Sequence, residues 1–161
     1  MNLQNTPENS IPKQTNIYLD SNGNLAADLS GVNAPMMVEF DTCTTEGWNV
    51  DGQQFGQVKP LDDYYNCLTV ANTTEPATVN IQPCASSNEG ILQLQWFMGE
   101  WDIQGGFHVI SYGNPNGGRD NRPQVRFAYG TEDIPDPNEI TVYNPDPTTV
   151  TQFQFSGIQY F

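Results

Sequence analysis

From Asn16 onward, apolar runs of four to six residues alternate with turn-forming punctuation: IYLD, then SNGN, LAADL, SGVNAP and MMVEF. Short runs bounded by Gly, Pro, Asn and Asp at a spacing near ten residues predict β-strands joined by turns, in a barrel or sandwich. No stretch carries the period of an amphipathic helix. The 12 prolines and 14 glycines are distributed so that they would interrupt any helix that began. Residues 1–15, MNLQNTPENSIPKQT, lack apolar periodicity and hold two prolines, which predicts a flexible N-terminal tail before a single domain over 16–161. At 161 residues the chain is long enough to bury one core without metals or a set of disulfides.

The pattern repeats. Cys43 is followed 11 residues later by Gln54-Phe55, and Cys84 is followed 11 residues later by Gln95-Trp96. Upstream, Asn24-Leu25-Ala26-Ala27 sits 19 residues before Cys43, and Cys67-Leu68-Thr69-Val70 sits 17 before Cys84. A third pair, Gln154-Phe155, follows after 59 residues, with the extra length in the loop compositions SYGNPNGGRDNRP and EDIPDPNE. Units at about 16–57, 58–100 and 101–161 are each too small to bury an apolar face alone and must pool their strands. The expected fold is all-β, a β-trefoil of three pseudo-repeats, with a β-sandwich as the alternative.

These residues resemble the ricin B-type lectin family, whose repeats carry a Cys-Leu-Asp-Val-like strand, a second cysteine some way on, and a Gln-x-Trp element. The match is best in the middle unit, Cys67 to Trp96, although Gln95 is adjacent to its aromatic. The resemblance implies a disulfide between Cys67 and Cys84, core roles for Phe55, Trp96 and Phe155, and a lectin-like function. Cys43 is left over, because Asn24 occupies its expected partner position. In galactose-binding members an Asp stands two positions after the first cysteine; here those places hold Ala26, Thr69 and Ile110, which departs from that pocket in every unit.

Composition narrows the partners. Lys+Arg number 5 against Asp+Glu 19, a formal net charge of −14. Such a surface repels phosphate backbones and anionic headgroups, which argues against nucleic acid and membrane surfaces. No apolar run is long enough for membrane insertion. The polarity comes mainly from Asn, Gln, Ser and Thr, which suits neutral polar ligands such as glycans or glycoproteins. Acidic charge, a cysteine pair and the Asn72-Thr73-Thr74 sequon fit a secreted protein whose leader is absent from the chain as written; a cytoplasmic protein is the alternative.

Sugar recognition needs an aromatic platform for the apolar face of a pyranose and carboxylates or amides for its vicinal hydroxyls. In the first unit Asp28, Asp41, Trp48 and Asn49 supply those groups; the structural alternative for Trp48 is a loop tryptophan folded back on the core. In the third unit Tyr112, Asn114, Arg119 and Asp120 lie in the insertion Ser111 to Pro123, where Arg119 could equally pair with neighbouring carboxylates. Asp20-Ser21-Asn22-Gly23-Asn24 resembles a calcium loop only superficially, since its Gly is misplaced, and predicts a hairpin turn through Asn22-Gly23. No catalytic motif, metal-ligand spacing or cofactor fingerprint is present, so the chain is expected to be no enzyme, with no cofactor and no metal. The expectation is a non-catalytic carbohydrate-binding protein with weak single sites strengthened by multivalency or homo-oligomers. The competing expectation is a trefoil protein-binding module such as a protease inhibitor.

Overall fold

The computed structural model describes residues 2–5, 13–42, 53–72, 77–86, 94–101, 107–111, 126–128, 140–143 and 151–155. These residues are all-β, with no α-helix among them. The strands are β1 (Asn2–Asn5), β2 (Lys13–Leu19), β3 (Leu25–Ala27), β4 (Val38–Thr42), β5 (Gln53–Pro60) and β6 (Asn66–Val70). They continue with β7 (Ala77–Pro83), β8 (Phe97–Trp101), β9 (Phe107–Ser111), β10 (Arg126–Ala128), β11 (Thr141–Tyr143) and β12 (Thr151–Phe155).

One antiparallel series runs β4-β5-β8-β9-β12-β1. Three hairpins, β2–β3, β6–β7 and β10–β11, branch from that series: β2 pairs with β1, and β10 pairs with β12 through Phe127 and Thr151. They meet one another. Asn24 bridges Asn80, Thr141 pairs with Thr78, and the Ile140 N–H donates to the Leu25 carbonyl at 3.0 Å. Leu25, Val79 and Ile140, one from each hairpin, are fully buried at this junction and join a core with Ile17, Val58 and Phe97.

Burial follows local sequence closely. In β7, Ala77 and Val79 face inward while Thr78 and Asn80 face outward, the period of a half-buried strand. β3 and β6 are covered on both faces, which is why LAA and CLTV are continuous apolar or small runs. The hairpin through Asn22-Gly23 forms as expected: Gly23 takes φ +78°, and the Asp20 carboxylate accepts the N–H groups of Asn22 and Asn24, each at 2.8 Å.

Two expectations are revised. The stretch read as a tail contributes β1 and the start of β2, with Leu3 paired to Thr15 and to Phe153. Strand addition uses backbone hydrogen bonds, which need no apolar period. The Gln-aromatic spacing does not mark equivalent places either. Gln54-Phe55 lies in β5, opposite Gly99 and Met98 of β8, whereas Gln95-Trp96 immediately precedes β8. The first dipeptide therefore lies within a strand, whereas the second leads into the neighbouring one.

Candidate functional site

Asp28 follows β3 and is buried, and its carboxylate is consumed by its own loop. Oδ1 accepts the Ser30 hydroxyl at 2.6 Å, the N–H of Ser30 at 3.2 Å and of Gly31 at 3.0 Å, and the Asn33 amide at 3.3 Å; Oδ2 accepts the Asn33 N–H at 2.7 Å. Gly31 adopts φ +74°, a turn that the glycine enters without steric penalty. The Ser30 hydroxyl, opposed by burial and aided by the Asn33 and Gly31 donors, holds the Asp28 carboxyl below the ordinary carboxylate range. Asp28 is thus a loop organiser, and its expected role as a ligand contact is replaced by this one. Asp41, on β4, is half-exposed and ion-paired with Lys59 of β5. Trp48, Asn49, Tyr112, Asn114, Arg119, Asp120 and the leftover Cys43 lie outside the described residues.

The middle unit forms a buried polar knot. Cys67 and Cys84 are bridged, their Cα atoms 4.9 Å apart, which ties β6 to the residue after β7. Beside the bridge, the fully buried Gln95 donates through Nε2 to Thr69 Oγ1 and to the Pro83 carbonyl, both at 2.9 Å. Its Oε1 accepts from the Ala85 N–H at 2.7 Å and from Gln57 Nε2 at 3.1 Å. Thr69 Oγ1 also lies 3.0 Å from the Cys67 carbonyl, to which it donates. The places where the resemblance would seat a sugar-binding Asp are interior: Ala26 and Thr69 are both buried. A carboxylate in either would enter the core, and Thr69 is already engaged by Gln95 and the Cys67 carbonyl; the side chain of the third place, Ile110, lies outside the described residues.

The solvent-facing candidates gather around the turn between β5 and β6, Leu61-Asp62-Asp63-Tyr64-Tyr65. Tyr64 and Tyr65 are 58% and 87% exposed. The turn beneath them is pinned from several sides. The Asp63 N–H reaches the Pro60 carbonyl at 3.2 Å, Asn66 Nδ2 donates to Asp63 Oδ2 at 2.6 Å, and the Cys84 N–H donates to the Tyr65 carbonyl at 2.9 Å. Through Cys84 the disulfide supports the same turn. The Leu61 N–H donates to the Met37 carbonyl at 2.9 Å, which joins the turn to the segment entering β4. Between them opens a cleft of about 540 Å³ bordered by Tyr18, Leu19, Pro35, Met37, Leu61 and Asp62. Among the described residues no three His, Cys, Asp or Glu side chains converge as metal ligands would.

This turn is not among the site residues expected from the repeats, although the sequence carries a signal for it. Adjacent tyrosines in a strand point to opposite faces, so a Tyr-Tyr pair inside an Asp-rich turn has no inward face to share and leaves aromatic surface in water. The chain matches no protein-family model, no curated protein and no solved structure.

Proposed function

We propose that the chain is a non-catalytic, lectin-like carbohydrate-binding domain of β-trefoil architecture, secreted and directed at glycans or glycoproteins. The strand pairing supports the trefoil reading. β1, β4, β5, β8, β9 and β12 pair in series as barrel strands would, and the hairpins β2–β3, β6–β7 and β10–β11 contact one another as a threefold cap would. In that reading the units are 2–42, 53–101 and 107–155. The disulfide between Cys67 and Cys84 favours an oxidising compartment.

The observation that carries the binding function is the pair of exposed tyrosines on a pinned turn flanked by Asp62 and Asp63. A phenol ring offers a rigid apolar platform for the C–H face of a pyranose, with little side-chain entropy to lose. Carboxylate oxygens beside it accept hydrogen bonds from vicinal hydroxyls. Because the turn is held before any ligand arrives, ordering costs little on binding. Such shallow sites bind weakly one at a time and gain from multivalent display of the glycan.

The test is a glycan array with the wild-type chain and with Tyr64→Ala and Tyr65→Ala. Binding to a defined set of neutral glycans that both substitutions abolish, with unchanged thermal unfolding, supports the reading; retention on no glycan at all ends it. The competing protease-inhibitor reading rests on the loop from Tyr112 to Pro123, outside the described residues. Residual activity of a protease panel incubated with the chain decides it.

A further inference from the structure

The cleft beside the tyrosine turn has a different chemistry from the turn itself. Leu19 at the end of β2, Met37 before β4 and Leu61 after β5 remain 38%, 61% and 36% exposed along its walls. Val32, 83% exposed, and Leu29, 44% exposed, extend this apolar character along the same connecting segment between β3 and β4. Both walls are preformed. The Met36 N–H donates to the Ile17 carbonyl at 2.7 Å, and the Leu61 N–H to the Met37 carbonyl at 2.9 Å, so the cleft does not depend on a mobile lid. Contiguous exposed leucine and methionine on a domain that has a well-buried core elsewhere mark an interaction surface. Methionine, with its unbranched thioether, suits contact with varied apolar side chains.

Charge decides between occupants. Among the described residues the one charged side chain bordering the cleft is Asp62, with Asp20 and Asp63 adjoining Leu19 and Asp62 in the chain. Among the described residues no Lys or Arg lines it, and Lys59, the cation closest along the chain, is committed to Asp41. A second copy of this chain would bring another net charge of −14 to an acidic rim and be repelled. A sugar would find proline, leucine and methionine where its hydroxyls need partners.

We propose that this cleft docks a basic protein segment, in which one or two large apolar side chains occupy the space between Met37 and Leu61 while flanking Lys or Arg residues meet the acidic rim. This partner site adjoins the tyrosine contacts assigned to glycans and shares Asp62 with them, while its apolar anchors Met37 and Leu61 are its own.

The experiment uses the full chain and two sets of immobilised synthetic peptides with the same central Leu/Phe/Met pair. One set is flanked by Lys and Arg, the other by Asp and Glu. The expected result is binding of the basic set alone, weakened by added salt. Met37→Asp and Leu61→Asp each reduce it at least about tenfold, a change of about 1.4 kcal/mol. Asp62→Asn lowers the salt dependence, and Tyr65→Ala leaves peptide binding unchanged. Both cleft positions are exposed, and thermal unfolding verifies that the variants fold; the milder Met37→Ala gives the same direction if an Asp variant does not. The proposal is overturned if no peptide binds, if acidic and basic sets bind alike, or if Tyr65→Ala removes binding that Leu61→Asp spares. Sedimentation showing a dimer that Leu61→Asp dissociates also overturns it, by making a second copy the occupant.

Discussion

The ring of Phe107 on β9 lies over Gly99 on β8, so that a Cβ at position 99 would collide with the ring carbons. The two are diagonal neighbours, since Gly99 pairs with Val109 and Phe107 with Trp101. The glycine leaves backbone uncovered, and the aromatic ring covers it. Phe107 in turn packs edge-on to Phe40 at 5.2 Å and tilted to Trp101 at 5.1 Å, so β4, β8 and β9 are knitted through one side chain.

Gly99→Ala is therefore expected to destabilise by about 1–3 kcal/mol through overpacking, even though alanine suits a strand no worse than glycine does. Phe107→Ala is expected to cost about 3–5 kcal/mol. Adding Gly99→Ala to Phe107→Leu should cost less than in the wild type, because the obstructing ring is gone. Chemical denaturation of Gly99→Ala, Phe107→Leu and the double variant measures this coupling. Simple additivity would show that the ring does not set the requirement for glycine.

Gln95 makes four hydrogen bonds inside the core, two as donor and two as acceptor. Gln95→Leu keeps the volume and strands the Ala85 N–H and the Pro83 carbonyl, for an expected loss of about 2–4 kcal/mol. Gln95→Glu keeps both acceptor contacts but turns the donating end into a carboxylate facing the Pro83 carbonyl. Its carboxyl pKa is raised in the folded chain, so this variant should regain stability as pH falls toward the range where it can donate again. Urea titrations at pH 7 and pH 5 separate the two behaviours; a Gln95→Glu protein equally stable at both would refute the donor role.

Removing the bridge by Cys67→Ala with Cys84→Ser opens a loop whose ends are 17 residues apart, for an expected loss of about 3 kcal/mol. The loss should be accompanied by faster amide exchange of Cys84, whose N–H reports on the tyrosine turn through the Tyr65 carbonyl. Unchanged exchange at Cys84 would separate the turn from the disulfide.

Asp28 is charged in the fold and binds a proton less readily there than in the unfolded chain. Its contribution is present in full above the ordinary carboxylate range and is lost as pH falls through its lowered folded value. Asp28→Asn cannot accept on both sides of its loop and should be less stable at pH 7, with the deficit against wild type shrinking in acid. Thermal unfolding followed from pH 7 to pH 2 checks this, and a constant deficit would show that the carboxylate's charge plays no part.

The alternation of apolar and polar residues, cut every few positions by Gly, Pro, Asn and Asp, was sufficient to determine an all-β chain. Asn22-Gly23 located a hairpin because only a few residue types tolerate positive φ, and that preference is local. The disulfide of the middle unit was legible through its family resemblance. What is local in energy is readable in sequence. Other features were decided by the tertiary structure alone. Period two tells which residues of a strand share a face but not which strand lies beside it, and so Gln54-Phe55 and Gln95-Trp96 looked like copies when the first lies in β5 and the second leads into its neighbour β8. Whether Asp28 meets solvent or its own loop depends on how residues 28–33 close, and whether Thr69 lines a pocket or the core depends on Gln95 arriving from 26 residues away. The exposed tyrosines owe their setting to bonds from Cys84 and from the segment at Met37, contacts between distant parts of the chain that strand pairing brings together.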